Sequence, residues 1–195
     1  MVIIKNRIGA KRLFDLVISI FGIFIIALPL LLLAWQVRQK LGSPVFFSQL
    51  RPGLNGQPFR MVKFRTMTGE CDASGTLLPD AQRLTSFGRF LRATSLDELP
   101  ELWNVLRGEM SLVGPRPDVP AQESLYTPQD WALRCSVRPG ITGLAQVRYQ
   151  YGASVDDAVQ KLQYDLYYVK NNSLFLDLLI LIDTVQVVLS GRGSR

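Results

Sequence analysis

The chain has 195 residues, of which 22 are Lys or Arg and 16 are Asp or Glu, so its formal net charge is +6; it contains no histidine. The missing histidine excludes a Ser-His-Asp triad, a Cys-His pair and any zinc site that uses imidazole. A positive charge attracts phosphate groups in nucleic acid, anionic lipid or a nucleotide substrate, but it does not choose among them.

The first predicted element is an uncharged apolar run, Leu16 to Val37, which is long enough to cross a bilayer. Pro29 lies within the run and removes one backbone donor, which predicts a kink or break in the helix. Basic residues lie on both sides, at positions 5 to 12 and at Arg38 and Lys40, and such residues favour the cytoplasmic face. A helix-break-helix that enters and leaves the same leaflet satisfies both flanks. An ordinary kinked transmembrane helix is the alternative.

The next predicted elements are a short β-hairpin and a helix. Residues Val45 to Phe47 and Phe59 to Phe64 have the pattern of strands, and the turn residues Arg51 to Gly56 separate them. A helix is predicted from Asp80 to Ala93, where apolar residues recur at helical spacing with arginines between them. That pattern suits either a membrane interface or an ordinary helix that faces the core.

The middle of the chain predicts two helices on either side of a loop. The first runs from Leu96 to Leu106, with Ser95 as its N-cap and Glu98 at the spacing of a capping box. Residues Met110 to Pro120 are predicted to form the loop. The second helix begins at Thr127 to Leu133, because its first two residues are a threonine that can cap it and a proline that suits the first helical position.

The last part of the chain predicts a turn and two further helices. Residues Arg138 to Gly143 form the turn, and an extended piece follows from Leu144 to Val147. A helix is predicted from Ser154 to Lys170. Another, amphipathic and strongly apolar, is predicted from Leu174 to Leu189, lying at a membrane interface or against the core.

Together these elements predict a fold class and a division of the chain. The fold class is α+β and mainly helical: a monotopic membrane protein with an N-terminal re-entrant helix-break-helix, a small β-hairpin and amphipathic interfacial helices. Residues 1–40 are predicted to be the membrane-embedded part. Residues 41–195 are predicted to form one cytosolic or interfacial domain.

An adjacent acid pair, Asp97 and Glu98, lies in the segment SLDELPELWNVLRGEMSLVGPRP. Acidic residues are common in the first turn of a helix, so alone the pair carries little information. It is, however, accompanied in the sequence by cations at Lys63, Arg65, Arg92 and Arg116. A carboxylate among cations can hold Mg²⁺ together with a phosphate, or attack phosphorus and form an acyl phosphate. Next to a membrane-embedded segment, the pattern predicts phosphoryl chemistry on an amphiphilic substrate.

With these residues in place, the chain resembles the small monotopic phosphoglycosyl transferases of bacteria, also called bacterial sugar transferases. The resemblance runs nearly end to end. The matching blocks are KRLFDL at 11–16, QLRPGL at 49–54, KFRTM at 63–67, SLDELPELWNVLRGEMSLVGPRP at 95–117, RPGITGLAQV at 138–147 and DLYYVKNNSLFLDL at 165–178. Several such blocks in the same order argue against a chance similarity.

The resemblance implies a specific reaction: transfer of a phospho-sugar from a UDP-sugar to a polyprenol phosphate, usually undecaprenyl phosphate, with release of UMP. By the family mechanism, Asp97 would attack the β-phosphate and carry a covalent phospho-sugar between two ping-pong steps. Mg²⁺ would bind Asp97 and the diphosphate, and Glu98 would help to arrange the dyad. The substrate-binding residues implied are Lys63, Arg65, Arg92, Arg116 and, in the RPGITG turn, Arg138.

The chain departs from the family pattern at two positions. The break in the membrane helix often carries a Ser-Pro pair, and here it is Leu28-Pro29. An apolar residue often follows GPRP, and here Asp118 follows, either to tune the choice of sugar or to face solvent. The chain also lacks the additional N-terminal transmembrane bundle of larger relatives, so it is expected to be a small family member or the catalytic part of a larger one.

The resemblance also implies a location and partners. The enzyme would lie at the bacterial inner, cytoplasmic membrane with its catalytic domain on the cytoplasmic face, and would perform the first membrane step of glycoconjugate assembly. Its partners would be a UDP-sugar, undecaprenyl phosphate and membrane lipid; a homodimer, the sugar and the pathway stay open. Nucleic acid is not expected, because the positive charge is scattered and no RNP-type motif occurs. The alternative is a non-enzymatic bitopic membrane anchor or partner-binding protein.

Overall fold

The computed structural model describes residues 2–149 and 155–190. Within those ranges the helices are α1 (Val2–Leu41), α2 (Asp80–Arg83), α3 (Ser86–Ala93), α4 (Glu101–Arg107), α5 (Pro128–Arg134), α6 (Leu144–Arg148), α7 (Val155–Asn171) and α8 (Leu174–Leu189). The strands are β1 (Phe46–Pro52), β2 (Pro58–Phe64), β3 (Ser111–Val113) and β4 (Gly140–Thr142). The predicted class, a mainly helical α+β fold with a small β-hairpin, is confirmed.

The helix α1 carries the apolar run, and its part from Gly9 to Leu41 is long and apolar enough to cross a membrane. Large apolar side chains cover its middle, among them Phe24, which is 80% exposed, and this surface indicates association with a membrane. The helix continues through Pro29, where the sequence predicted a break into two helices. Proline removes only one backbone N–H, and the turns on either side remain helical, so α1 is a single element.

The charged residues of the KRLFDL block attach the first part of α1 to the rest of the fold. Nζ of Lys11 lies 2.6 Å from a carboxylate oxygen of Asp177 and donates to the carbonyl of Val113 at 3.1 Å. The buried carboxylate of Asp15 accepts a hydrogen bond of 2.9 Å from the hydroxyl of Ser111. The block therefore fixes α1 to strand β3 and to helix α8.

The C-terminal part of α1 packs in a separate apolar cluster. Val37 and Leu41 lie in this cluster with Phe64 of β2 and Leu91 of α3, and all four are buried. Just after the helix, the guanidinium of Arg65 donates to the backbone carbonyl of residue 43 at 2.8 Å. The parts of α1 around residues 11–15 and 37–41 are therefore packed against other elements, while large apolar side chains between them stay exposed.

The predicted hairpin is confirmed, since β1 and β2 pair antiparallel with Phe46 opposite Phe64. The single helix predicted over 80–93 is instead two helices, α2 and α3. The side chain of Thr85 accepts the N–H of Gly88 at 3.1 Å and caps α3. A threonine is a favoured N-cap, so it begins a new helix where the apolar spacing alone suggested a continuous one.

Three sequence predictions are wrong around the second sheet. The segment predicted as a loop from Met110 contains β3, and the turn predicted from Arg138 contains β4. The piece predicted as extended after Gly143 is the helix α6. Strand β3 pairs in parallel with β4, and Ser111 lies opposite Gly140. Strands of three residues carry no measurable period, and their pairing depends on contacts between distant parts of the chain.

The backbones of the GPRP and RPGITG segments cross at three glycines. A Cβ atom on Gly140 would lie 2.1 Å from the backbone nitrogen of Gly114, and one on Gly143 would lie 2.2 Å from the carbonyl oxygen of Gly114. No side chain fits at such distances. These motifs therefore need glycine so that β4 can approach the chain that leaves β3.

The last two helices lie where the sequence predicted them, over 154–170 and 174–189. The predicted first residue of the earlier helix, Ser154, lies outside the described residues. Helix α8 buries Ile180 in the main apolar cluster, while Phe175 is 72% exposed. One face of α8 thus packs on the core and the opposite face presents apolar side chains to its surroundings.

We expect Gly140→Ala to destabilise the fold by about 1–3 kcal/mol, because the added methyl group overlaps the backbone of Gly114. Thermal unfolding of the detergent-solubilised protein measures the effect. Gly69→Ala is the control, since a Cβ atom there would meet only Arg65 Nη1 at 3.6 Å. Equal unfolding temperatures for the two variants would contradict the close approach.

Candidate active site

A cavity of about 970 Å³ opens between the β-hairpin, α3, the segment before α4, and the helices α6 and α8. Its charged lining contains most of the residues predicted for the site: Asp97, Glu98, Lys63, Arg65, Arg92 and Arg116. Its apolar lining includes Val147, Leu181 and Val188. The lining therefore combines charged residues, here called the charged wall, with apolar residues, here called the apolar wall, and a lining of both kinds suits an amphiphilic ligand.

The acid pair lies on a short 3₁₀ turn, Leu96–Glu98, and not on the continuous helix that the sequence predicted. The backbone of Ser95 has the left-handed conformation, with φ of 55°, and its side chain makes no capping hydrogen bond to the turn that follows. The predicted N-cap and capping box are therefore wrong. Pro100 separates the turn from α4. The carboxylate of Glu98 does not reach back to the turn, because two cations bind it instead.

The Glu98 carboxylate is bound by Lys63 and Arg116. Nζ of Lys63 lies 2.7 Å from Oε1, and Arg116 binds the same oxygen through Nη2 and the other oxygen through Nη1 at 3.4 Å. Burial alone would raise the pKa of Glu98, but the attraction of the two cations outweighs burial and holds that pKa well below its usual range. Glu98 is therefore an anion that Arg116 holds through both carboxylate oxygens and Lys63 holds through one.

The carboxylate of Asp97, the neighbour of Glu98, is in a different state. Asp97 is only 8% exposed and lines the cavity, yet it makes no salt bridge within the described part of the chain. Burial, together with the negative charge of Glu98, raises the pKa of Asp97. Two adjacent carboxylates thus differ in role: one is held by cations, and the other is available to a ligand in the cavity.

Glu101, at the start of α4, is part of the same cluster and was missed from the sequence. It is 1% exposed, and its Oε1 lies 3.1 Å from Nζ of Lys63. Burial raises the pKa of Glu101 to about 7; Lys63 opposes this shift and Glu98 adds to it. The available signal was its position three residues after Glu98, which favours the same side of a helical turn.

Two other arginines were also missed. Arg51 lines the cavity, and its Nη1 donates to the carbonyl of Pro117 at 3.1 Å. Arg134 of α5 is buried, and its Nε donates to Asp165 at 2.8 Å. Arg51 lies in the QLRPGL block, which could have marked it. Arg134 has no such signal, because an arginine in the last turn of a helix is ordinary.

The remaining predicted residues are placed less uniformly. Arg65 and Arg92 lie in the cavity wall, where Nε of Arg92 donates to the hydroxyl of Thr66 at 3.1 Å. The structure does not bring Arg138 to the cavity lining. Its Nε donates to the carbonyl of Gly108 at 2.7 Å, at the C-terminal end of α4.

The charged wall contains a carboxylate, that of Asp97, of the kind that binds Mg²⁺, but the side chains described there do not make a complete set of ligands for the ion. Among the described residues there is no group of three or more Asp, Glu, Cys or His side chains that could hold a metal ion. Mg²⁺ is commonly held by one or two carboxylates together with substrate phosphates and water. The carboxylate of Asp97 forms no salt bridge with the residues of 2–149 and 155–190, so it fits the protein's share of such a site.

The chain belongs to the bacterial sugar transferases, because the sequence profile of the family described as "Bacterial sugar transferase" matches residues 6–191. It is 51% identical over 185 residues to the Bacillus subtilis (strain 168) protein named "Uncharacterized sugar transferase EpsL". That match covers 95% of this chain and 90% of the relative.

Two relatives have names that state a reaction. A "UDP-glucose:undecaprenyl-phosphate glucose-1-phosphate transferase" of Caulobacter vibrioides is 42% identical over 188 residues, covering 92% of this chain and 70% of that protein. A "UDP-N-acetylgalactosamine-undecaprenyl-phosphate N-acetylgalactosaminephosphotransferase" of Aeromonas hydrophila is 42% identical over 183 residues, covering 88% of this chain and 43% of that protein. The chain is an enzyme of this transferase class.

We expect Glu101→Gln to change how stability depends on pH. The folded protein holds the Glu101 proton more tightly than the unfolded chain, whose ordinary pKa is 4.5. Glu101 therefore stabilises the fold below that pH, and the contribution is lost as pH rises towards 7. The unfolding temperature of the variant relative to the native protein should rise between about pH 5 and about pH 8.

The control for this measurement is Glu70→Gln, which makes the same chemical change on an exposed loop. Both variants are compared with the native protein at each pH in the same detergent. A difference between Glu101→Gln and the native protein that stays constant over the whole range would contradict the raised pKa.

Proposed function

We propose that the chain transfers a phospho-sugar from a UDP-sugar to undecaprenyl phosphate and releases UMP, through a covalent intermediate on Asp97. The names of the Caulobacter and Aeromonas relatives support the substrates. The observation that carries the proposal is the division within the acid pair: Glu98 binds two cations, whereas Asp97 lines the cavity and forms no ion pair with any described residue.

In the first step, a carboxylate oxygen of Asp97 attacks the β-phosphorus of the UDP-sugar. The bond between that phosphorus and the oxygen bridging to the α-phosphate breaks, and UMP leaves with the bridging oxygen. The product on the protein is an acyl phosphate that still carries the sugar. Lys63 and Arg116, fixed by Glu98, place positive charge beside the reacting anions.

In the second step, a phosphate oxygen of undecaprenyl phosphate attacks the same phosphorus. The acyl–phosphate bond breaks, the lipid diphosphate sugar forms, and Asp97 regains its carboxylate. The apolar wall, with Leu181 and Val188, lies in the same cavity as Asp97, so it can accept the lipid end of this substrate. The charged wall accepts its phosphate.

We infer that Mg²⁺ takes part, with Asp97 as its protein ligand. When bound, it would reduce the repulsion between an anionic carboxylate and an anionic diphosphate. The protein's own cations do the remaining work, because Arg116 presents a planar fork of donors that matches phosphate oxygens.

We further propose that α1 bends at Pro29, so that residues 1–40 dip into the cytoplasmic leaflet of the inner membrane and return, and that residues 41–195 form the catalytic domain on the cytoplasmic face. Two features support this arrangement. Basic residues flank the apolar run on both sides. The parts of α1 around residues 11–15 and 37–41 pack on other elements, whereas its middle, around Phe24 and Leu28, is exposed. Pro29 lies next to that exposed middle.

We expect Asp97→Asn to lower turnover by at least about 1,000-fold, because an amide is a poor nucleophile. Turnover is measured as UMP release from a UDP-sugar and undecaprenyl phosphate with Mg²⁺. Asp97→Glu should also be strongly impaired, since the additional methylene displaces the attacking oxygen. With donor alone, the native protein should release about one UMP per chain and gain the mass of one phospho-sugar at Asp97.

The control for the nucleophile is Asp72→Asn, because Asp72 lies on an exposed loop outside the cavity lining. This variant should keep native turnover. Native turnover in Asp97→Asn, or an adduct mapped to a different residue, would remove Asp97 as the nucleophile. UMP release with no adduct under donor-only conditions would point to direct transfer.

We expect cysteines placed at Ile3 and at Gln39 to be protected equally from a reagent that stays outside the cell. The substitutions are made singly in a Cys71→Ser background, because Cys71 is exposed and Cys135 is buried. Both sites should react after the membrane is permeabilised. Labelling of Ile3→Cys in intact cells would instead support a helix that spans the bilayer, as the anchor hypothesis requires.

A further inference from the structure

The turn that carries Arg116 has few backbone N–H groups with which to hydrogen-bond to the rest of the fold. Its sequence is Pro115-Arg116-Pro117, and the two prolines have no N–H with which to bind neighbouring strands. The turn must therefore be held mainly through its carbonyl oxygens. Each of the three accepts a hydrogen bond from a different element.

The three donors come from β4, α5 and β1. The N–H of Gly140 donates to the carbonyl of Pro115 at 2.9 Å. Nη2 of Arg134 donates to the carbonyl of Arg116 at 2.5 Å. Nη1 of Arg51 donates to the carbonyl of Pro117 at 3.1 Å. Of these three hydrogen bonds, the one from Arg134 is made to the backbone of Arg116 itself.

The guanidinium of Arg134 is itself firmly held. Its side chain is 5% exposed, and its Nε lies 2.8 Å from Asp165 of α7. Its Nη2 lies 3.1 Å from Asp118, whose carboxylate also accepts a hydrogen bond of 2.8 Å from the hydroxyl of Tyr126. A buried arginine is strongly destabilising without such partners, so the two aspartates make its position possible.

The same Nη2 atom contacts Arg116 and Asp118, which are two residues apart. Arg134 therefore closes a small ring with the backbone at the end of the GPRP segment. For Asp118 the sequence left two alternatives open, tuning the choice of sugar or facing solvent. In the structure its carboxylate is paired with Arg134 and Tyr126 inside the protein. Neither Arg134 nor Asp118 lines the cavity.

We propose that Arg134, held by Asp118 and Asp165, is a positioning residue that fixes the backbone of Arg116 so that its guanidinium stays on Glu98. The proposal rests on the transferase function proposed above. Arg116 is the link, because its carbonyl accepts from Arg134 while its side chain binds Glu98. Removing the charge of Asp118 should loosen the turn without touching the substrate.

The first measurement does not depend on activity. Hydrogen–deuterium exchange of the segment from Val113 to Val119 reports local opening of the turn. We expect faster exchange in this segment for Asp118→Asn than for the native protein, and also in the turn Leu96–Glu98, which Arg116 contacts through Glu98. Exchange around Tyr126 and in α5 should rise as well, because Asp118 bonds Tyr126 and Arg134 directly. Asp72→Asn, the same chemical change on an exposed loop, should leave the exchange of these segments unchanged.

The second measurement is a double-mutant cycle on turnover with a radiolabelled donor, so that slow rates are measurable. Asp118→Asn should lower the turnover of the native protein by about 10- to 100-fold, since a small misplacement of a charged group has such effects. In an Arg116→Gln background the same change should lower turnover by less than about twofold, because the side chain that it positions is absent.

The outcomes separate the two proposals. If the native protein turns over no substrate, the transferase function fails, and the exchange experiment alone decides the positioning role. Unchanged exchange in Asp118→Asn, or an equal loss of turnover in both backgrounds, would overturn the positioning role. If Asp118→Asn does not fold, Arg134→Lys takes its place, because lysine keeps the charge but cannot bind the carbonyl and two carboxylates together; the same results decide.

Discussion

The ion pairs of Lys63 and Arg116 with Glu98 fix the charges that lie beside Asp97 in the cavity lining. Burial and repulsion from Glu98 raise the pKa of Asp97, and the positive charges of Lys63 and Arg116 oppose that shift. The wall can therefore accept an anionic phosphate while it keeps a carboxylate within reach. Neither cation could do this from a flexible loop.

The fold supplies those cations from two different sheets. Lys63 lies on β2 of the antiparallel hairpin, and Arg116 follows β3 of the parallel pair. The glycines that let β3 and β4 lie in contact, such as Gly140, set the position of the GPRP turn. Stability and the geometry of the cavity are linked here, because a change that separates the second sheet also moves Arg116, a side chain of the charged wall.

Much of this arrangement could be predicted from the sequence, and the failures share one cause. The hairpin and α8 have clear periods or turn signals, and Asp97, Glu98, Lys63 and Arg116 lie in recognisable blocks; the structure places all four at one cavity. The predictions fail where distant contacts override local pattern. Glu98 has the spacing of a capping box, but in the structure two cations bind its carboxylate. The segment of β3 has the sequence pattern of a loop, but it pairs with the distant strand β4. Arg134 had no local signal at all.

The attachment of α1 to β3 has a mechanical meaning. Lys11 and Tyr168 both bind the carbonyl of Val113, and that residue is three positions before Arg116. The helix α1 is thus joined to the segment that carries Arg116 by direct hydrogen bonds. In the proposed reaction, these bonds couple the depth of α1 in the membrane to the position of Arg116. Bilayers of different thickness would then present the phosphate of a lipid acceptor at different distances from that arginine.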